Sequence, residues 1–193
     1  VQGILKTLGA LLILFLVIKA IPGGVEKAYQ IAQANNKFSM GDMKMNFTTS
    51  SFWVILLYGF FMNLNNFGMD QNYVQRYHTA SSDKEAKKSI WLCVYMYVPA
   101  SLLFFIIGSA LFSFYSLHPE LTEVLKQTAA AERLGLNASS TQLNELASTM
   151  QPTDYGDKVL PHFMVNHVPK VFLGLIIAAI LSAGMSTISS GMN

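Results

Sequence analysis

Charge is scarce in this sequence and cysteine nearly absent. Acidic and basic side chains make up 12% of the 193 residues against 52% hydrophobic ones. The formal charge of +2 is too small, and too evenly shared among the polar stretches, for a nucleic-acid partner, whose phosphates demand a basic face. The single cysteine, Cys93, lies in an apolar stretch, so neither an intrachain disulfide nor a cysteine-based metal site is available. No nucleophile, base and oxyanion donor are grouped at a plausible spacing, so an enzyme is not expected. His162 and His167 lack a third ligand at a suitable spacing, which argues against a zinc site.

What is present is apolar and segregated. Mean hydropathy is +0.37, and the charged residues avoid four long stretches and crowd between them, the pattern of membrane spans and loops. The expectation is an all-α membrane protein with about four transmembrane helices, near residues 4–22, 51–69, 89–115 and 171–193. Pro22-Gly23-Gly24 ends the first span. The second is apolar from Phe52 to Phe61 and then carries Asn63, Asn65 and Asn66. An amide left unpaired in hydrocarbon costs several kcal/mol, so these side chains are expected to face protein, water or a ligand. Pro99 should kink the third.

Residues 76–88 carry Arg76, Lys84, Lys87 and Lys88 against Asp83 and Glu85, so the segment 70–88 reads as a cytoplasmic loop. Residues 116–170 form an outer loop with short amphipathic helices near 120–134 and 140–149, and another surface helix is expected near 25–34. The chain starts without methionine and stops inside a helical run, so residues 1–193 read as a fragment of a single transmembrane domain whose remainder is a missing partner.

The fourth span is the informative one. At about 100° per residue, Ala183, Ser186, Thr187 and Ser190 share an arc, with Ser182 and Ser189 on its flank. Small and hydroxyl residues let membrane helices pack closely. A dehydrated sodium ion also needs several oxygens, which hydroxyls and helix carbonyls supply without fixed charge. Periodicity alone leaves both readings open.

Three blocks then resemble a known family. Ala183-x-x-Ser186-Thr187 followed by Asn193 resembles the sodium-binding helix of the sodium/solute symporter family. Asp70-Gln71-Asn72-Tyr73-Val74-Gln75-Arg76, with Ala80, Lys84, Glu85 and Ala86 beyond it, resembles that family's cytoplasmic signature. Leu160-Pro161, Pro169 and Gly174 resemble its approach to the sodium helix. The resemblance implies the five-plus-five inverted-repeat, leucine-transporter-like fold, of which this chain would hold core helices five to eight. It implies sodium ligation by the Ala183 carbonyl and the Ser186 and Thr187 hydroxyls, with the other half of the site on a core helix outside the chain. Ser186, Ser189 and Ser190 match a second sodium site found in some members, sialic acid transporters included.

For the solute, Asn63 falls where sugar- and sialic acid-carrying members place an asparagine. Asn66 stands where galactose carriers have a gating tyrosine, and Tyr97 where they have a sugar-contacting lysine. The resemblance therefore implies sodium-coupled symport of a small organic solute, sialic acid or sugar-like, across a bacterial inner membrane, with sodium, the solute and the lipid bilayer as partners. A proline or carboxylate symporter, a symporter-like sensory domain and a channel-like sodium protein are the alternatives.

Overall fold

Local signals at the ends start or stop several of the helices, and packing holds the rest. The computed structural model describes residues 2–39, 41–49, 51–135 and 139–192, leaving aside the side chains of Gln2, Asn72, Arg76 and Ser190. Among these residues there are nine helices and no strand: α1 (Gln2–Ala20), α2 (Gly24–Ala34), α3 (Phe52–Gly68), α4 (Gln71–His78), α5 (Asp83–Leu117), α6 (Pro119–Leu134), α7 (Ser140–Thr149), α8 (Pro152–His167) and α9 (Lys170–Gly191). Gly23 and Gly24 turn the chain from α1 into α2 at φ of 94° and 60°, a region open to glycine at little cost.

α1, α5 and α9 contain stretches long and apolar enough to cross a membrane. α3 has 17 residues, about 26 Å of rise against roughly 30 Å of hydrocarbon. The four expected spans are therefore three of full length and one shorter helix. The expected loops are largely helical: 70–88 contains α4 and the first residues of α5, and α6, α7 and α8 fill most of 116–170. Pro161 sits inside α8 and Pro99 inside α5, and both helices continue through them.

The chain divides into two compact units. The first comprises residues 1–37 and 102–183. Its core joins Val17 of α1, Ile107 and Phe114 of α5, Leu125 of α6 and Phe163 of α8, each at most 2% exposed. Ser113, fully buried, donates from Oγ to the Ala28 carbonyl oxygen at 2.9 Å and ties α5 to α2. Ala129 and Ala130 of α6 pack on Ala147 and Met150, small side chains that let α7 come close. Arg133 of α6 bonds Asp154 of α8 at 2.8 Å, and Lys158 of α8 pairs with Glu132 of α6. A capping box formed by Ser139 and Gln142 starts α7.

The second unit comprises residues 38–101 and 184–193. Ser51, 1% exposed, caps α3 by accepting from Val54 N–H and anchors the cap by donating to the Asn46 carbonyl at 2.8 Å. Trp53 Nε1 donates to the Met43 carbonyl at 3.0 Å, holding the preceding loop against the helix start. At the other end the Asn65 carbonyl accepts from both Met69 and Asp70 N–H, and Phe67 meets Tyr73 at 5.2 Å across the α3–α4 turn.

Candidate functional site

The residues expected to bind sodium lie in the last three turns of α9. Ala183 is half-buried, and Ser186, Thr187 and Ser189 are exposed. Spacings of three and four residues place Ala183, Ser186 and Thr187 on one side of the helix within about one turn. The Ser190 side chain and all of Asn193 lie outside the described residues. This donor set suits a hard monovalent cation, being all oxygen and free of carboxylate, and it is incomplete, since three oxygens cannot replace a hydration shell. Among the described residues no three His, Cys, Asp or Glu side chains lie together where they could hold a metal.

The expected solute residues sit on other helices. Asn63 and Asn66 occupy α3, both exposed, and Tyr97 occupies α5 with 73% of its surface exposed. Asn63 donates from Nδ2 to the Gly59 carbonyl oxygen one turn earlier, at 2.7 Å. That bond satisfies one amide hydrogen of the side chain. A concavity of about 800 Å³ runs along this side of α3, lined by Phe52, Leu56, Gly59, Phe60, Asn63 and Phe67 among others. Asn63 is its polar member in an otherwise apolar lining, the composition of small-molecule sites. The structure thus places the residues expected to bind sodium on one helix and the two asparagines on another.

Asp70-Gln71-Asn72-Tyr73-Val74-Gln75-Arg76 spans the α3–α4 turn and the body of α4, a helix not foreseen from the sequence. The same helix carries Tyr77, whose hydroxyl is buried with no hydrogen-bond partner among the described residues. Burial, then Tyr73 and Cys93, push that phenol above its ordinary pKa.

Sequence reasoning also missed α8 and what it does with His162. Gln151 and Asp154 form a capping box around Pro152, a start signal that the expected outer loop had concealed. His162 Nδ1 lies 2.7 Å from the Tyr115 hydroxyl of α5. Burial, then the charge on His167, lower the His162 pKa from its ordinary value.

Known proteins resemble this chain along its whole length. All of residues 1–193 match the model of the sodium:solute symporter family. The chain is 30% identical over 194 residues to the sodium/sialic acid symporter SiaT of Proteus mirabilis, covering all of this chain and 34% of that one. It is 27% identical to the sodium/sialic acid symporter NanT of Aliivibrio fischeri, covering all of this chain and 33% of that one. It is 25% identical to the sodium-dependent multivitamin transporter of Oryctolagus cuniculus, of which it covers 26%. A solved structure of a sodium-coupled sialic acid symporter, substrate-bound and outward-open with a novel sodium site, aligns at a TM-score of 0.71 and 29% identity, over 98% of this chain and 34% of that one. The chain spans about a third of the length of these bacterial relatives. The structural match sets its helices within the five-plus-five inverted-repeat, leucine-transporter-like fold, and its apolar helices are those of a membrane protein. The chain belongs to the sodium:solute symporter family.

Proposed function

We propose that the whole protein couples the entry of sodium to uptake of a small organic solute, sialic acid or sugar-like, by alternating access. The observation that carries this reading is the row of hydroxyls on α9, Ser186, Thr187 and Ser189, in a chain that matches a sodium symporter family from end to end. Sodium held by the Ala183 carbonyl and the Ser186 and Thr187 hydroxyls stabilises an outward-open state, the solute joins it near Asn63, Asn66 and Tyr97, and the bundle rocks to release both. Ser189 and Ser190, with Ser186, provide oxygens for a second ion. The relatives at 30% and 27% identity are named for sialic acid, which favours that solute over a vitamin or proline.

The topology that goes with this reading puts residues 70–88 in the cytoplasm, where Lys84, Lys87 and Lys88 satisfy the positive-inside rule, and α6, α7 and α8 on the outer side of a bacterial inner membrane. The energetics suffice. One sodium ion crossing about 100 mV and a tenfold gradient supplies roughly 2.3 plus 1.4 kcal/mol, enough for about 500-fold accumulation of a neutral solute.

The test is uptake into proteoliposomes holding the whole protein, offered labelled sialic acid, galactose, proline and a short carboxylate with and without an inward sodium gradient. Accumulation of one solute only with sodium supports the proposal. Accumulation indifferent to sodium, or none of any solute while sodium still binds, removes it.

A further inference from the structure

The end of α5 meets α8 in a cluster of rings that symport as described does not use. Phe114 and Phe163, 2% and 0% exposed, cross edge to face at 5.3 Å. His118, at the α5–α6 corner, stacks on Phe114 at 4.4 Å, with Nδ1 2.9 Å from the Phe114 carbonyl oxygen. His167 stacks on Phe163 at 4.5 Å and meets Phe114 edge-on at 5.2 Å. His162 reaches across from α8 to the Tyr115 hydroxyl at 2.7 Å, and a second acceptor for that hydroxyl, the Val159 carbonyl, lies at 3.4 Å.

The protonation state of His162 decides which way the hydrogen runs in this bond. While the imidazole is neutral with a bare Nδ1, the phenol donates to it. A proton on Nδ1 turns acceptor into donor, so Tyr115 must accept and swing its own hydrogen to the longer Val159 contact. The same proton places a cation in a half-buried position among aromatic rings, beside His167.

Little nearby offsets that charge. The titratable groups of the cluster are Tyr115 from α5, His118 from the corner and Tyr155, His162 and His167 from α8, while α1, α2, α6 and α9 contribute apolar side chains such as Val17, Ala28, Leu121 and Leu173. The carboxylates Glu123, Glu132 and Asp154 are paired with Lys126, Lys158 and Arg133, and Glu120 and Asp157 are exposed.

We propose that the Tyr115–His162 contact is a proton-sensitive latch between α5 and α8, closed at neutral pH and released as the compartment bathing α8 acidifies. The sign agrees with the His162 environment. Its pKa is lowered from 6.5, so the neutral imidazole contributes stability above that value, and the contribution is lost as pH falls through the lower folded value. α8 runs through Val168 and Pro169 straight into α9, so release is felt at the start of the helix that carries Ala183, Ser186 and Thr187. That consequence for uptake rests on the symport reading; the latch itself does not.

The experiment is amide hydrogen exchange of the whole protein in lipid nanodiscs from pH 7.5 to 5.0, corrected for intrinsic exchange. Protection over residues 159–167 should fall about tenfold below pH 6.5 in wild type. His162→Gln, whose carboxamide accepts from Tyr115 without titrating, should hold protection constant, and Tyr115→Phe should show low protection and no pH step. A flat wild-type profile, or a wild-type pH step retained in either variant, overturns the latch. Sodium-driven uptake over the same pH range separates the two readings. If uptake fails at every pH the symport proposal falls while exchange still decides the latch, and if α8 responds but uptake does not, the link to transport falls.

Discussion

Gly9 of α1 lies directly beneath Ile176 of α9: a Cβ added to Gly9 would come within 3.1 Å of Ile176 Cγ1 and 3.5 Å of its Cδ1. The two helices approach this closely because glycine leaves room, as small residues do between membrane helices. Gly9→Ala gains about 0.5–1 kcal/mol of helix propensity and loses a similar amount to crowding, so it should change thermal stability little. Gly9→Val should cost about 1–3 kcal/mol, and Ile176→Ala in the same molecule should recover part of it. Thermal unfolding of the whole protein in detergent measures all three. Equal tolerance of alanine and valine would show that the approach is not tight.

The Asp154 carboxylate joins two helix ends, accepting from Arg133 at 2.8 Å and from the Gln151 backbone N–H at 2.8 Å. The Arg133 hydrogen bond, then that of Gln151, hold its pKa below the ordinary 3.8. A lowered carboxylate pKa contributes stability that is present above the unfolded value and lost as pH falls through the folded one. Protection of α8 amides should therefore drop as pH falls below 3.8. Asp154→Asn should lower protection at pH 5 and remove that acid step. An unchanged step in the variant would assign it to another carboxylate.

Much of this architecture was legible in the residues because strong local signals and the expected structure coincide. Pro22-Gly23-Gly24 marks the end of α1, and the surface helices near 25–34, 120–134 and 140–149 are α2, α6 and α7 within one residue at each boundary. α4 and α8 were hidden for physical reasons. α4 has only eight residues, held by packing such as Phe67 on Tyr73 rather than by its own propensity. α8 contains Pro161 and Gly156, both poor helix residues, and is held by Phe163, Met164 and the links to α6.

The site was legible differently. The hydroxyl arc of α9 follows from spacing alone, since residues three and four apart on a helix share a face. Its sodium reading came from resemblance, because spacing alone does not separate a packing stripe from a cation site. Asn63 stood out as an amide at membrane depth. The Tyr115–His162 contact joins residues 47 apart on helices whose packing no periodicity reports, so nothing local could announce it.

Thr187 separates the two uses of that arc. If its hydroxyl ligates sodium, Thr187→Ala should raise the sodium concentration needed for half-maximal uptake about 10- to 150-fold, the equivalent of about 1.5–3 kcal/mol for a lost bond to a charged group. Thr187→Ser, which keeps the oxygen, should stay near wild type. Ser189→Ala should spare half-maximal sodium and lower the number of ions carried per solute if a second site exists. A helix-packing role predicts the reverse pattern for Thr187→Ala, a loss of thermal stability with an unaltered sodium requirement.

Asn63 makes the complementary case for the solute. Its bond to the Gly59 carbonyl is exposed and lies within one helix, so losing it should cost little stability. Its carboxamide is the polar feature of the groove on α3, and a solute hydroxyl or carboxylate that bonds there would leave an unmet partner in Asn63→Ala. That loss, about 1–3 kcal/mol, raises the solute concentration for half-maximal uptake by roughly 5- to 150-fold. Sodium binding measured without solute should stay unchanged, because the residues proposed to hold the ion sit on α9. Asn66→Ala and Tyr97→Phe should alter the ranking among sialic acid, galactose and proline more than the maximal rate. If Asn63→Ala instead lowers stability and leaves half-maximal uptake untouched, the asparagine serves its helix and the solute binds elsewhere.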